Sequence, residues 1–208
     1  LATQGKSAEL ARFEAESLGL KVRAANEADA QAEEGARALV QQIRDRLGDE
    51  SPIYYEASNL LGDILLRQSK FKEAIAQYRQ VLDTPPEKLP LDNTARETAR
   101  GNLPVALRGR GDIAGTIAVL TDFEKELTQR RGAEHPFTLS VVNNLAIALQ
   151  NNGQRDEALA LYDRAYAGRV KVLGPAHPDT LNVLQNRATL LIQTGKPAEA
   201  EPVLRDLL

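Results

Sequence analysis

The chain contains no cysteine, no methionine and no tryptophan, and its aromatic residues amount to five tyrosines and four phenylalanines. Without cysteine there is no disulfide, no thiol nucleophile and no cysteine-bound zinc, although the compartment stays open. So low an aromatic content argues against a β-sandwich, which draws on Val, Ile, Thr and Tyr, and suits helices packed through small side chains. No apolar run approaches the roughly 18 residues that a membrane helix needs. Nor is there an excess of one charge: 26 basic and 29 acidic residues are interspersed over 208 positions, for a formal net charge of −3. No basic stripe is available to neutralise phosphates, so a nucleic-acid partner is not expected. An initiating methionine is also missing, and the natural chain is expected to extend beyond Leu1 and beyond Leu208.

What the chain does have is internal repetition. His135-Pro136-Phe137-Thr138-Leu139 returns as His177-Pro178-Asp179-Thr180-Leu181, 42 residues on. Gly132 and Gly174 keep that interval, as do Asn144 and Asn186, Gly153 and Gly195, Glu157 and Glu199, and Ala158 and Ala200. Stepping back once reaches Asn102, Leu103, Gly111 and Ile117, and a second step reaches Leu61, Leu65, Ala74, Ile75 and Tyr78. Leu47-Gly48 lies three periods before Leu173-Gly174, so five repeats are in phase, and a fixed period of this length is the signature of a stacked-repeat architecture.

Each repeat reads as two helices. Leu139, Val142, Leu145, Ala146 and Leu149 fall on one helical face. Asn151-Asn152-Gly153 supplies a stop, because glycine accepts the left-handed conformation that closes a helix. Ala158, Leu161, Tyr162 and Ala165 form the stripe of a second helix, which ends near Leu173-Gly174-Pro175. Pro178 suits the first turn of the helix that follows. Neither helix can bury its stripe alone, so the pairs must stack into an array. The expected fold class is all-α, an α-solenoid.

Leu61-Gly62 with Leu65, followed by Ala74, Tyr78 and Pro86, resembles the small-and-large pattern and closing proline of a tetratricopeptide repeat. Ala158, Tyr162 and Ala165 fit the same slots. The run from Leu173 to Asn186 with its 42-residue period is similar to the repeats of kinesin light chains and their bacterial relatives. Eight residues beyond the usual 34 are expected to add about one turn to each helix, at roughly 1.5 Å per residue. The resemblance is strong over 135–208 and fair over 51–134. Over 1–50 it is poor: Leu18-Gly19 and Val22 fit only if one residue is inserted in the following turn, after which Ala32, Ala36 and Leu39 fall back into phase. The expected organisation is a single array over 1–208: a degenerate, Ala-rich first repeat or cap (1–50), then repeats at 51–92, 93–134, 135–176 and a truncated 177–208. Leu208 is expected to stop in mid-helix with an apolar face open. Pro104 replaces the small residue found later as Ala146 and Ala188, and a kink or break is expected there.

The resemblance implies a right-handed superhelix whose first helices line a concave groove for an extended peptide or a partner's helix. Carried onto this chain, the groove stripe in the second repeat is Glu56, Leu60, Asp63 and Arg67, with Asn59 beside it. In the third it is Thr98, Asn102, Val105 and Gly109. In the fourth it is Ser140, Asn144, Ile147 and Asn151, with Asn143 beside it, and in the fifth Asn182, Asn186, Thr189 and Gln193, with Gln185. An amide offers two donors and an acceptor and can bond a peptide backbone whatever its sequence. In related repeats asparagines at the matching position hold ligand backbone, which singles out Asn102, Asn144 and Asn186. Arg67, Arg100, Arg108 and Arg110 would add a positive sector able to fork onto a carboxylate, which suits a partner with an acidic end.

Other signals dissolve on inspection. Gly109-Arg110-Gly111-Asp112-Ile113-Ala114-Gly115 imitates a phosphate-binding glycine loop, but a helix precedes it where a strand is required. His135 and His177 recur in one turn slot, which marks them as repeat elements rather than a base or a metal pair. No nucleophile elbow or phosphate loop is present, so neither enzymatic activity nor any cofactor or metal is expected. The expected function is an interaction scaffold, in the cytoplasm, with a protein or peptide partner and possible association through open solenoid ends. The alternative is a sensory domain of a larger signalling protein, such as a kinase or transcription regulator, that binds a small ligand or an intramolecular segment.

Overall fold

The computed structural model describes residues 2–26 and 30–205. Those residues form ten helices: α1 (Ala2–Asn26), α2 (Ala30–Leu47), α3 (Pro52–Arg67), α4 (Phe71–Leu82), α5 (Thr94–Gly109), α6 (Ile113–Arg131), α7 (Pro136–Asn151), α8 (Arg155–Leu173), α9 (Pro178–Gln193) and α10 (Pro197–Arg205). From the second repeat on, every helix begins on the 42-residue period, and each of α3, α5, α7 and α9 is 16 residues long. The contacts divide into two compact units, Leu1–Gly111 and Asp112–Leu208, with the boundary in the turn of the third repeat. The expected apolar end at Leu208 lies outside the described residues.

Local chemistry sets the helix starts. Proline opens α3, α7 and α9, where its missing N–H costs nothing. The preceding side chain caps the helix in α5, α7 and α9: Asn93 accepts from the Ala95 N–H at 2.8 Å, and the Nδ1 atoms of His135 and His177 accept from Phe137 and Asp179. Both histidines are thus helix caps, a role open only to an imidazole without a proton on Nδ1.

In both units each helix packs on the next in sequence, and first helices also pack on first helices: α1 on α3 and α3 on α5 in one unit, α7 on α9 in the other. Second helices of the same unit lie farther apart and meet through long side chains, Arg37 of α2 pairing with Glu73 of α4 and Arg164 of α8 with Glu124 of α6 at 2.7 Å. The first helices therefore share the tighter face. Packing across the hairpin relies on small against large. A Cβ on Gly62 would stand 2.7 Å from the Tyr78 ring, so only glycine admits that ring at its depth. The same slots hold Ala146 and Tyr162 in the fourth repeat, both fully buried. Burying such a ring is worth about 2–3 kcal/mol. Arg169, buried, ties three helices of the C-terminal unit by donating to Ser140 Oγ at 3.0 Å and to the Asp179 carbonyl.

Three expectations change. α5 runs unbroken from Thr94 to Gly109 with Pro104 inside it, so the expected break is absent. Leu103, Pro104, Ala106 and Leu107 are all buried, and their packing carries the helix past the missing N–H. Gly101, facing open space, has no side chain for the displaced turn to push against. Second, the extra turn is realised in α6 and α8, of 19 residues each, but α4 stops after 12 at Leu82. Pro85-Pro86 cannot continue it. Residues 83–93 form a loop instead, fastened by buried Arg96, whose guanidinium donates to the carbonyls of Leu82 (2.7 Å), Thr84 (2.5 Å) and Leu89 (2.8 Å). Third, α1 is a 25-residue helix that buries Phe13, Ser17 and Leu20, while Leu18 and Val22 are 63% and 55% exposed. The insertion that would have buried Leu18 and Val22 is not made. Ala32, Ala36 and Leu39 of α2 are buried in phase with Ala74, Tyr78 and Val81.

The turn between first and second helices is glycine with positive φ at Gly111, Gly153 and Gly195, but Ser69 fills that slot in the second repeat at φ 59°. A left-handed L-residue costs about 1–2 kcal/mol. Ser69→Gly is therefore expected to raise the urea-unfolding midpoint. Gly174 ends α8 at φ 89°, ψ 161°, a region open essentially to glycine, and Gly174→Ala is expected to cost about 1–3 kcal/mol. A neutral Gly174→Ala would refute this account of the turns.

Candidate functional site

The tighter face of the N-terminal unit holds a cleft of about 250 Å³ lined by Lys21 of α1, Glu56, Asn59, Leu60 and Asp63 of α3, and Thr94, Ala95 and Thr98 of α5. Glu56, Asn59 and Asp63 share it because they lie three and four residues apart on one helical face. Asn59, 4% exposed, donates through Nδ2 to the Ala95 carbonyl at 2.7 Å and so clips α3 to α5. Its Oδ1 is closed to solvent and accepts no hydrogen bond. Asp63 Oδ1 accepts from the Tyr78 hydroxyl at 2.6 Å and from Asn102 Nδ2 at 2.7 Å. Burial and the neighbouring Asp63 carboxylate push the Tyr78 phenol far above its ordinary range. Asn102 is thus engaged inside the unit. Arg67 and Arg108 are exposed and Arg100 is half-buried, and none of the three lines the cleft.

On the C-terminal unit the matching face of α7 and α9 carries no charge on its stripe. Asn143 is buried, and its Oδ1 accepts from Asn186 Nδ2 at 3.2 Å. Asn186 also leans toward Asn182 Oδ1 at 3.5 Å. Asn144, Asn151, Asn182 and Gln185 are exposed, and the Asn144 side chain has no hydrogen-bond partner among the described residues. Sequence reasoning missed Gln150. Its Oε1 accepts from the Tyr162 hydroxyl at 2.8 Å and its Nε2 donates to Gln193 Oε1 at 2.9 Å, a relay from the hairpin core to α9. The recurring tyrosine was the available signal, since a buried phenol needs a partner. Burial pushes the Tyr162 phenol up to about 12.

The remaining motifs have structural positions. Gly111 takes φ 83° in the inter-helix turn, and Asp112 caps α6 by accepting from the Gly115 N–H. Among the described residues no helix is long and apolar enough to cross a membrane.

Hairpins in register, a small-against-large slot and a polar inner face define a helical-repeat binding protein. Tetratricopeptide repeat models match residues 28–88 and 137–208, together more than half of the sequence. The chain belongs to the tetratricopeptide repeat family. No curated protein matches it. Among solved structures it is similar to a Podosopora anserina protein described as a kinesin light chain with nearly identical TPR-like repeats (TM-score 0.83, 22% identity, covering 94% of this chain and 93% of that one). It is also similar to BtubC (BKLC) from P. vanneervenii (TM-score 0.82, 18% identity, 99% and 84% covered). A third likeness is to Bacillus thuringiensis PlcR in complex with the peptide PapR7 and DNA (TM-score 0.61, 13% identity, 94% and 68% covered). At these identities the likeness speaks for the fold, an all-α tetratricopeptide solenoid.

Two measurements separate internal from available groups. Asn102→Ala is expected to cost about 1 kcal/mol, because Asp63 loses a donor, whereas Asn144→Ala should stay within about 0.5 kcal/mol. Equal costs would remove the distinction. A tyrosine in an unfolded chain ionises near pH 10. Folding holds Tyr162 neutral above that point, so its stabilisation is complete below about pH 10 and is lost as pH rises toward 12. Tyr162→Phe is expected to flatten the decline of the unfolding midpoint over that window, and an unchanged decline would refute the assignment.

Proposed function

We propose that this protein is a non-catalytic interaction module that captures an extended segment of a partner protein on the face of its first helices. The carrying observation is the uncharged amide surface of α7 and α9. There Asn144, Asn151, Asn182 and Gln185 stand exposed over a floor ordered by Asn143 and Gln150. Free amides on a rigid helix face bond backbone donors and acceptors without regard to side-chain identity. Family membership supports the reading, since tetratricopeptide repeats generally mediate protein–protein contact. The module works in the cytoplasm, without cofactor and without nucleic-acid contact, and its sites on separate helices favour multivalent partners.

A second reading, a regulatory domain of a larger signalling protein, draws support from the cleft of the N-terminal unit, which is of side-chain or small-ligand size. The similar PlcR structure, a complex with a peptide and DNA, favours the same direction.

The test is affinity capture from source lysate with the parent and with an Asn144/Asn182/Gln185→Ala variant of matched thermal stability. A protein retained by the parent and lost by the variant is the expected result. Identical retention by both would refute the amide face as the binding site. Retention of nothing by either would turn attention to small ligands.

A further inference from the structure

The cleft in the N-terminal unit differs in kind from the amide face, and its chemistry names what it takes. Glu56 and Asp63 both line it, and neither has an ion-pair partner among the described residues. Asp63 is hydrogen-bonded, but both of its donors, a phenol and an amide, are neutral. Asn59 adds an amide oxygen that is closed to solvent and lacks a donor. All three groups accept and none is matched by a cation. Leu60 and Ala95 supply apolar wall between them. Two features lean the other way. Lys21 brings one positive charge, but it is exposed and leaves the two carboxylates in excess. The start of α5 favours anions by its dipole, but the Asn93 side chain already caps it.

We infer that this cleft receives a cationic side chain, a lysine or arginine of the bound segment, with its aliphatic stem along Leu60 and Ala95 and its head among Glu56, Asp63 and Asn59. This rests on the reading of the protein as a peptide-binding module and gives that module a preference. The charge favoured here is opposite to the acidic partner that the arginines of α3 and α5 suggested. The uncharged face of α7 and α9 holds backbone, and the acidic cleft selects a basic residue. A lysine stem covers apolar wall while its head keeps its charge among acceptors, and an ammonium brings three donors to groups that have none to spare.

The test is a backbone-amide NMR titration of the whole chain with N-acetyl-lysine N-methylamide, and with the norleucine and glutamate counterparts as separate probes. The lysine probe is expected to shift the amides of residues 56–63 and 94–98 saturably, and to bind at least about five-fold more tightly than norleucine. Glu56→Gln, an exposed site with no partner to lose, is expected to weaken it about three- to five-fold, in line with one partly screened charge pair. Glu87→Gln, an exposed carboxylate outside the cleft, is expected to leave it unchanged. Equal binding of norleucine, tighter binding of the glutamate probe at these amides, or shifts scattered over surface carboxylates would each overturn the inference. The affinity capture above reads the other unit, so either result can fail while the other stands.

Discussion

The whole architecture depends on how deeply one ring can sink. Tyr78 reaches its place only because Gly62 offers no Cβ to meet it, and Tyr162 lies in the equivalent slot opposite Ala146. That depth brings the two helices of a hairpin together. It also lets first helices of one unit lie side by side, while the second helices stand farther apart and meet only through long side chains such as Arg164 and Glu124. The polar inner faces follow from this geometry. Within each unit, residues on the first helices away from the second ones are gathered onto one face, and a buried phenol reaches that face from behind, through Asp63 in the N-terminal unit and through Gln150 in the C-terminal unit. Stability in such a structure is close to a sum of neighbour-to-neighbour terms, so each slot matters locally.

Much of the fold was legible in the sequence because the helix-defining signals are themselves periodic. Proline opening α3, α7 and α9, a capping side chain before α5, α7 and α9, and glycine after α5, α7 and α9 all fall on the 42-residue period, and the helix bounds follow them. What was misread had a common cause. Pro104 carries a local penalty that buried neighbours override. Pro85-Pro86 shorten α4, but whether a shortened helix is tolerated depends on Arg96, whose role appears only when the loop is folded beside α5. The first repeat has a weak pattern because α1, among its described residues, buries a single stripe of Phe13, Ser17 and Leu20.

The candidate site was legible in part. The stripe residues do lie on the first helices, yet the fate of each amide turned on partners far along the chain: Asn59 on Ala95, 36 residues away, Asn102 on Asp63, 39 away, and Asn186 on Asn143, 43 away. Three asparagines equivalent in sequence therefore have different jobs. Asn102 holds a carboxylate, Asn186 holds another amide, and the exposed Asn144 side chain holds nothing among the described residues. Periodicity reports where a side chain sits, and only its neighbours decide whether its hydrogen bonds are already taken.

Arg96 has a further, mechanical consequence. Elsewhere the chain is held along its length by helix ladders that yield residue by residue. Between α4 and α5 three carbonyls hang on one guanidinium. Under tension, losing that one side chain frees three carbonyls together and leaves the loop to buried Leu89 and the Lys88–Glu50 ion pair, a stepwise release that adds slack between α4 and α5. The second repeat thus carries a discrete point of extension that its more regular neighbours lack.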